Sequence, residues 1–170
     1  MDTRHVVVDT LLGKITLVAS GESVVGLYFS HHWHRPALDS LGAEVPVADD
    51  ALLSLAAGQF GDYLAGERTS FDLPTATHGD PFQERVWRLL RDIPRGETVT
   101  YGELAARLGD KALAQSVGQA VGRNPLSVIV PCHRIVGADG RLIGYAGGLK
   151  RKQFLLDLEE PALAKAGRLF

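Results

Sequence analysis

Sulfur is scarce in this chain. Cys132 is the one cysteine among 170 residues, so no internal disulfide can form, and the sequence fits a reducing, cytoplasmic setting. Long apolar runs are missing too: none approaches the roughly 18 residues of a membrane-spanning helix. The start Met1-Asp2-Thr3-Arg4-His5 lacks the basic opening and apolar centre of a signal peptide. Neither a G-x-G-x-x-G run nor a phosphate loop with its Lys-Ser/Thr pair occurs, which removes the usual signatures of nucleotide and dinucleotide cofactors; no cofactor is expected. Three imidazoles crowd into His31-His32-Trp33-His34, yet zinc draws its ligands from separated positions, with cysteine common among them. No partner cysteine is present, so this stretch reads as an exposed loop and no metal is expected.

What remains is an ordinary soluble composition, 45% hydrophobic and 22% charged, enough for one domain or two small ones. The formal charge of -2 conceals an asymmetry. Residues 1–79 hold 4 basic and 10 acidic side chains, a balance of -6, whereas residues 80–170 hold 14 and 10, a balance of +4. Only the second half suits a polyanion, although a solvated charged face explains the surplus equally well.

The first thirty residues read as a strand meander, with β-rich runs at 5–8, 14–18 and 24–29 separated by turn-like Leu12-Gly13-Lys14 and Ser20-Gly21-Glu22-Ser23. An antiparallel sheet is expected. Asp49 or Asp50 can cap a helix running to about Leu64, with Leu52, Leu53, Leu55, Ala56, Phe60, Tyr63 and Leu64 on its apolar face. A short strand is expected at Phe71-Asp72-Leu73 and a linker at 75–79, so a small α/β domain ends near residue 78 and a second spans 79–160.

The second half switches to short helices. Asp80-Pro81-Phe82-Gln83 supplies an N-cap, a proline at the first helical position and a capping-box glutamine. Thr100-Tyr101-Gly102-Glu103 has the form of a second capping box, and a further helix covers about 111–121. Two short helices joined by a tight glycine turn match a helix-turn-helix, a pattern that also occurs in many proteins that never touch nucleic acid. A last helix covers about 149–159, with Phe154, Leu155 and Leu158 inward and Lys150-Arg151-Lys152 exposed; residues 161–170 form a loosely held tail.

The chemical content is concentrated in Ile129-Val130-Pro131-Cys132-His133-Arg134-Ile135-Val136. A thiol reacts as its thiolate, so a reactive cysteine needs neighbours that favour loss of the proton. Adjacent side chains diverge, and a direct Cys132–His133 contact is awkward. A water between thiol and imidazole is compatible with general-base catalysis, with Glu159 a candidate to orient the ring. Pro131 breaks any strand ladder and is expected to present Cys132 at a strand end. The plain alternative is a small buried core hydrophobe.

Taken together, Tyr101-Gly102-Glu103-Leu104-Ala105, Gly118, Asn124-Pro125, the Pro131-Cys132-His133-Arg134 core, Gly144-Tyr145-Ala146-Gly147-Gly148-Leu149 and Leu155-Leu156-Asp157-Leu158-Glu159 closely resemble the O6-alkylguanine-DNA alkyltransferases. The resemblance covers about residues 80–160. It implies a ribonuclease-H-like α/β domain followed by a mainly helical, winged helix-turn-helix domain. It further implies irreversible, stoichiometric transfer of an alkyl group from O6 of guanine in double-stranded DNA, and more weakly from O4 of thymine, to Cys132. In that scheme His133 deprotonates Cys132 through water, Glu159 holds the imidazole, and Asn124 braces the turn. Tyr101 protonates the departing base. Val121, Ile135, Tyr145, Ala146 and Gly147 join Tyr101 around the substrate, while Ala114, Gln115, Ser116, Gly118 and Arg123 meet the minor groove. A monomer, with cooperative assembly along DNA as a further option, is expected.

Two departures from the family pattern stand out. Its usual Arg-Ala-Val-Gly run is Gln115-Ser116-Val117-Gly118 here, so the side chain that fills the gap left by the flipped base has no charge. Ala146 stands where many relatives carry serine, and the zinc-binding cysteines of some eukaryotic relatives are absent. The other readings are a non-catalytic alkyltransferase-like lesion binder, which would lack the acceptor cysteine, a helix-turn-helix regulator with an incidental cysteine, and a cysteine hydrolase.

Overall fold

The structure is a computed structural model and describes residues 2–32 and 34–161. Most of the expected tail, residues 162–170, therefore lies outside the described residues, as does Trp33.

Strands β1 (Thr3–Thr10), β2 (Gly13–Ser20) and β3 (Ser23–Phe29) form the expected meander. A two-residue strand, β4 (Ala43–Glu44), adds to the free side of β1 in parallel, giving the order β3-β2-β1-β4. The sheet is therefore mixed rather than purely antiparallel. Central β2 is buried on both faces. On one face Ile15, Leu17 and Ala19 join the main core; on the other, Val18 packs with Tyr28 and Leu41. Helix α1 (Ala51–Leu64) crosses the main-core face. Its cap is Asp50, whose side chain accepts from the Leu53 N–H at 2.9 Å while pairing with Arg4. Gly58 and Gly61, which weaken the helix signal, lie on its open side, so they cost propensity without leaving a hole.

The sequence misleads between 69 and 79. Phe71-Asp72-Leu73 is not a strand: Asp72 is tied instead to the Gln59 side chain, which accepts from its N–H and donates to its carbonyl. The residues read as a linker do pair, through Val24 N–H to Pro74 and Ala76 N–H to Val24, because the free edge of β3 offers unspent backbone groups. His32 is likewise not an exposed loop residue. It is buried, stacks on Phe29 and accepts from the Phe29 N–H through Nδ1 at 3.2 Å, whereas His31 and His34 are exposed.

Helix α2 (Pro81–Arg91) opens on the full Asp80/Gln83 capping box. A short parallel pair, β5 (Val99–Thr100) with β6 (Ile135–Val136), brackets the helix-turn-helix of α3 (Tyr101–Arg107) and α4 (Ala114–Gly122). Thr100 caps Glu103 at 3.0 Å, the backbone-directed half of the expected box. The 111–121 helix begins as a 3-10 turn, Lys111–Leu113, capped by Asp110. Helix α5 (Leu149–Glu159) closes the fold. No helix among the described residues is long and apolar enough to cross a membrane.

A single core runs through both halves, joining Leu27, Phe29 and Phe60 to Val86, Val121, Leu126 and Leu155. Where the edge of β3 passes the second half, Leu27 donates to the Pro125 carbonyl at 2.8 Å, fastening the sheet to the segment that leads to Cys132. Helix α4 is held from behind by Trp87, whose indole donates to the Ala120 carbonyl at 2.8 Å. Replacing Trp87 with Phe leaves that carbonyl only the Arg123 N–H at 3.2 Å, and urea denaturation is expected to show a loss of about 0.5–1.5 kcal/mol, the net contribution of one hydrogen bond.

Candidate functional site

The position of Cys132 follows from a short, heavily constrained turn. Asn124 is buried and its amide nitrogen donates to the Val130 carbonyl at 2.8 Å, while its oxygen accepts from Leu126 N–H at 3.0 Å, closing the intervening loop on itself. Within that loop Val128 holds a φ of 73°, which a β-branched residue rarely adopts and which the surrounding bonds must impose. Pro131 then sits at φ -80°, ψ 65° with Cys132 N–H bonded to the Val130 carbonyl at 2.8 Å, an inverse γ-turn. Cys132 is thus not at a strand end as expected. It opens the 3-10 turn Cys132–Arg134, because the ring of Pro131 favours the tight turn and Arg134 N–H returns to the Pro131 carbonyl.

From this turn His133 extends fully buried, and its Nε2 lies 2.8 Å from Oε2 of Glu159 at the end of α5. Its other nitrogen, Nδ1, is buried and has no hydrogen-bond partner among the described residues. Glu159 is also gripped by Arg134, through Nε to Oε1 at 2.8 Å and Nη2 to Oε2 at 3.0 Å, and by the Tyr63 hydroxyl. Arg134 in turn donates to the Ile93 carbonyl at 2.6 Å.

The electrostatics of these groups follow from burial and pairing. Burial pushes the Glu159 carboxyl up, but hydrogen bonds from His133 and Arg134, reinforced by the Arg134 charge, outweigh it and hold the group well below the usual carboxylate range. His133 is lowered by burial, with Glu159 opposing and Arg134 and Lys152 adding to the fall. Burial drives the Cys132 thiol up to about 11; the Asn124 amide and the Lys152 ammonium pull the other way and lose. At neutral pH the resting sulfur therefore carries its proton.

Cys132 lines a small cavity of about 70 Å³ together with Tyr101, Gly118, Val121, Gly122, Gly144, Tyr145 and Ala146. Tyr101, the first residue of α3, reaches over it, its hydroxyl 3.4 Å from the Ile143 carbonyl. Burial, then the nearby Cys132, raises the Tyr101 phenol. Gly118 of α4 faces this ring, where an added Cβ would lie in ordinary contact at 3.8 Å. Ile135 and Gly147 do not line the cavity; Ile135 is sealed in β6 and Gly147 packs against Phe29. On the outer side of α4, Gln115 and Ser116 are exposed, Ala114 is half-buried, and Arg123 is exposed just beyond the helix end.

Three side chains at the site carry no role in the sequence analysis. Lys152 was expected at the surface; it is 1% exposed, donates to the Gly144 carbonyl at 3.1 Å, and is lowered by burial to about 8. Its spacing with Leu155 and Glu159 puts all three on one helical face, a signal that an inward Leu155 makes readable. Arg134 is a charge inside an apolar run, which also marks it. Tyr63 looks like one more apolar position of α1, and nothing local distinguishes it.

The helix-turn-helix unit thus carries a buried thiol on the wall of a pocket, and the residue after it pairs its imidazole with a buried carboxylate. The family model for the ribonuclease-like domain of 6-O-methylguanine DNA methyltransferase matches residues 4–77, and that for the DNA-binding domain of the same family matches residues 81–161. The chain belongs to the 6-O-methylguanine DNA methyltransferase family. Methylated-DNA--protein-cysteine methyltransferases of Mycobacterium tuberculosis and Mycolicibacterium paratuberculosis are 40% and 43% identical to it, the alignments covering 90% and 89% of each chain. The crystal structure of Mycobacterium tuberculosis OGT in complex with DNA superposes with a TM-score of 0.84 at 39% identity over 92% of both chains.

Because burial dominates at Cys132, thiolate ultraviolet absorbance in the DNA-free protein is expected to rise with a midpoint near 11, well above an ordinary cysteine. A midpoint at or below about 8.5, the free-thiol value, would contradict this environment.

Proposed function

We propose that this protein performs direct-reversal DNA repair, transferring the alkyl group of O6-alkylguanine in double-stranded DNA to Cys132 in a single, irreversible turnover. The observation that carries the reading is the placement of Cys132 on the wall of a pocket at the helix-turn-helix, with His133 and Glu159 aligned behind it at 2.8 Å. The 79–160 unit is the reacting domain, and 1–78 its ribonuclease-H-like support.

Attack at a saturated carbon needs the sulfur in line with the carbon-oxygen bond, and a stacked base does not permit that approach. The lesion nucleotide is therefore rotated out of the duplex, at a cost of a few kcal/mol that is lower for a damaged base. His133 Nδ1 accepts the thiol proton through a water, and Glu159 steadies the resulting imidazolium. The S–C bond forms as the C–O bond breaks, the electron pair passes to the guanine, and Tyr101 supplies a proton to the leaving base. Val121, Tyr145 and Ala146 border the flipped base, with the 146 position offering backbone donors only. Asn124 keeps the turn rigid. Lys152 supplies a positive charge near the sulfur at the moment it ionises.

Helix α4 enters the minor groove, where the small residues Ala114, Ser116 and Gly118 allow close backbone approach and phosphate contacts give sequence-independent affinity. Gln115 fills the space left in the stack without a charge, and Arg123 stands nearby as the compensating cation. The protein works in the cytoplasm, as a monomer that can also assemble cooperatively along DNA. A purely lesion-binding role is disfavoured by the presence of Cys132 itself.

Mixing the protein with a duplex bearing O6-methylguanine is expected to give one methylated Cys132 per repaired lesion and no further turnover, read by peptide mass against repaired DNA. Cys132→Ser should abolish transfer while binding persists, since a hydroxyl is a poor nucleophile without strong activation. Methylation elsewhere, or lesion loss without modified protein, would refute the assignment. Gln115→Arg is expected to tighten lesion-duplex binding roughly tenfold, the scale of one added charge-assisted hydrogen bond. Unchanged affinity and rate would mean that Gln115 already suffices.

A further inference from the structure

We infer that Tyr63, on the first domain's α1, is a positioning residue of the alkyl-transfer reaction: its hydroxyl fixes the Glu159 carboxylate in the orientation from which it serves His133. The inference rests on the Cys132–His133–Glu159 reading above and assigns a reaction role to a domain otherwise treated as support.

Glu159 is the last residue of α5, where a helix has no following turn to steady a side chain. Its carboxylate nevertheless takes four hydrogen bonds, about the full lone-pair capacity of such a group. Oε1 receives Arg134 Nε, and Oε2 receives Arg134 Nη2, His133 Nε2 and the Tyr63 hydroxyl. Tyr63 is the one contributor from the first domain, and it shares an oxygen with the imidazole rather than occupying the remote one.

The phenol is itself held in place. Its ring is 1% exposed, stacks on Phe71 with centroids 4.8 Å apart and planes 25° apart, and lies under the Arg95 guanidinium at 4.9 Å. Arg95 continues to the Leu158 carbonyl at 3.2 Å, tying the ring to the residue before Glu159. Burial, and then the Glu159 charge, push the phenol up to about 12, so it remains a donor throughout the physiological range.

This geometry has a direct consequence for the base. Among the described residues the groups facing the imidazole and its carboxylate are Tyr63 from α1, Arg134 from the 3-10 turn, Lys152 from α5, and Tyr145, whose ring meets the imidazole edge-on at 6.5 Å, with Arg95 acting on Tyr63. Of these, the Tyr63 phenol draws negative charge away from the oxygen that faces His133. Without it, Oε2 holds imidazolium more strongly, and a higher pH is needed to free the ring to accept the thiol proton. The carboxylate also loses one of its four restraints.

Single-turnover methyl transfer from an O6-methylguanine duplex, measured against pH, tests the assignment. Tyr63→Phe keeps the ring, its stack on Phe71 and its place under Arg95. It is expected to lower the plateau rate about tenfold, the scale of a charge-assisted hydrogen bond, and to move the acid limb to higher pH, with Kd for the lesion duplex unchanged within about twofold. In a Glu159→Gln background, Tyr63→Phe should move neither rate nor limb, because the two changes act through one group. A normal rate and pH profile for Tyr63→Phe beside a crippled Glu159→Gln would sink the Tyr63 role alone. The same loss of rate in both backgrounds would also overturn it, marking Tyr63 as structural. Normal transfer by Glu159→Gln would remove the relay and this inference with it.

Discussion

A buried carboxylate held by four hydrogen bonds is the constraint on which this structure depends. Glu159 is sealed from solvent, and an isolated charge there would be prohibitively costly, so its neighbours must compensate it in full. They come from far apart in the chain: Tyr63 from α1, His133 and Arg134 from the turn that carries the nucleophile, and Glu159 itself from the end of α5. Satisfying one anion therefore fixes the mutual placement of three segments. Imidazole orientation, the path of the Cys132 turn and the docking of α5 are three aspects of the same requirement.

The same low-polarity surroundings that make this network strong keep the sulfur quiet. A thiol this buried holds its proton at neutral pH despite Lys152 and Asn124 nearby. In the proposed mechanism reactivity then belongs to the complex with a lesion, where the proton has a route through His133 and the charge appears only as the alkyl group is attacked. A protein spent in a single reaction gains from such reserve, since a freely ionised thiolate would also be open to oxidation and to stray electrophiles.

How much was legible beforehand depended on how local the determining interactions are. The three long strands, the Asp50 and Asp80 caps and the helix-turn-helix follow from alternation, capping residues and glycine turns, all of which act within a few positions. Cys132, His133 and Asn124 could be singled out because their motif is compact. The failures lie where a distant partner decides. Phe71–Asp72 has strand-like composition, but the Gln59 side chain captures the Asp72 backbone. Lys152 belongs to a basic run that reads as solvated, yet the Gly144 carbonyl and the pocket claim it. Tyr63 carries no local mark of its place in the network, because that place is set by a hydrogen bond to a residue near the other end of the sequence.

The backbone bond from Leu27 to Pro125 has a bearing on how the molecule is made. The β-meander can pair its strands as soon as it is synthesised, since those contacts are local, whereas the Pro125 carbonyl reaches the edge of β3 only after most of the chain exists. Closing a loop of that span carries a large entropic cost and comes late in folding. The docking of the Cys132 turn onto the sheet thus waits for that segment, and a nascent chain that stops short of Glu159 lacks the carboxylate that holds His133.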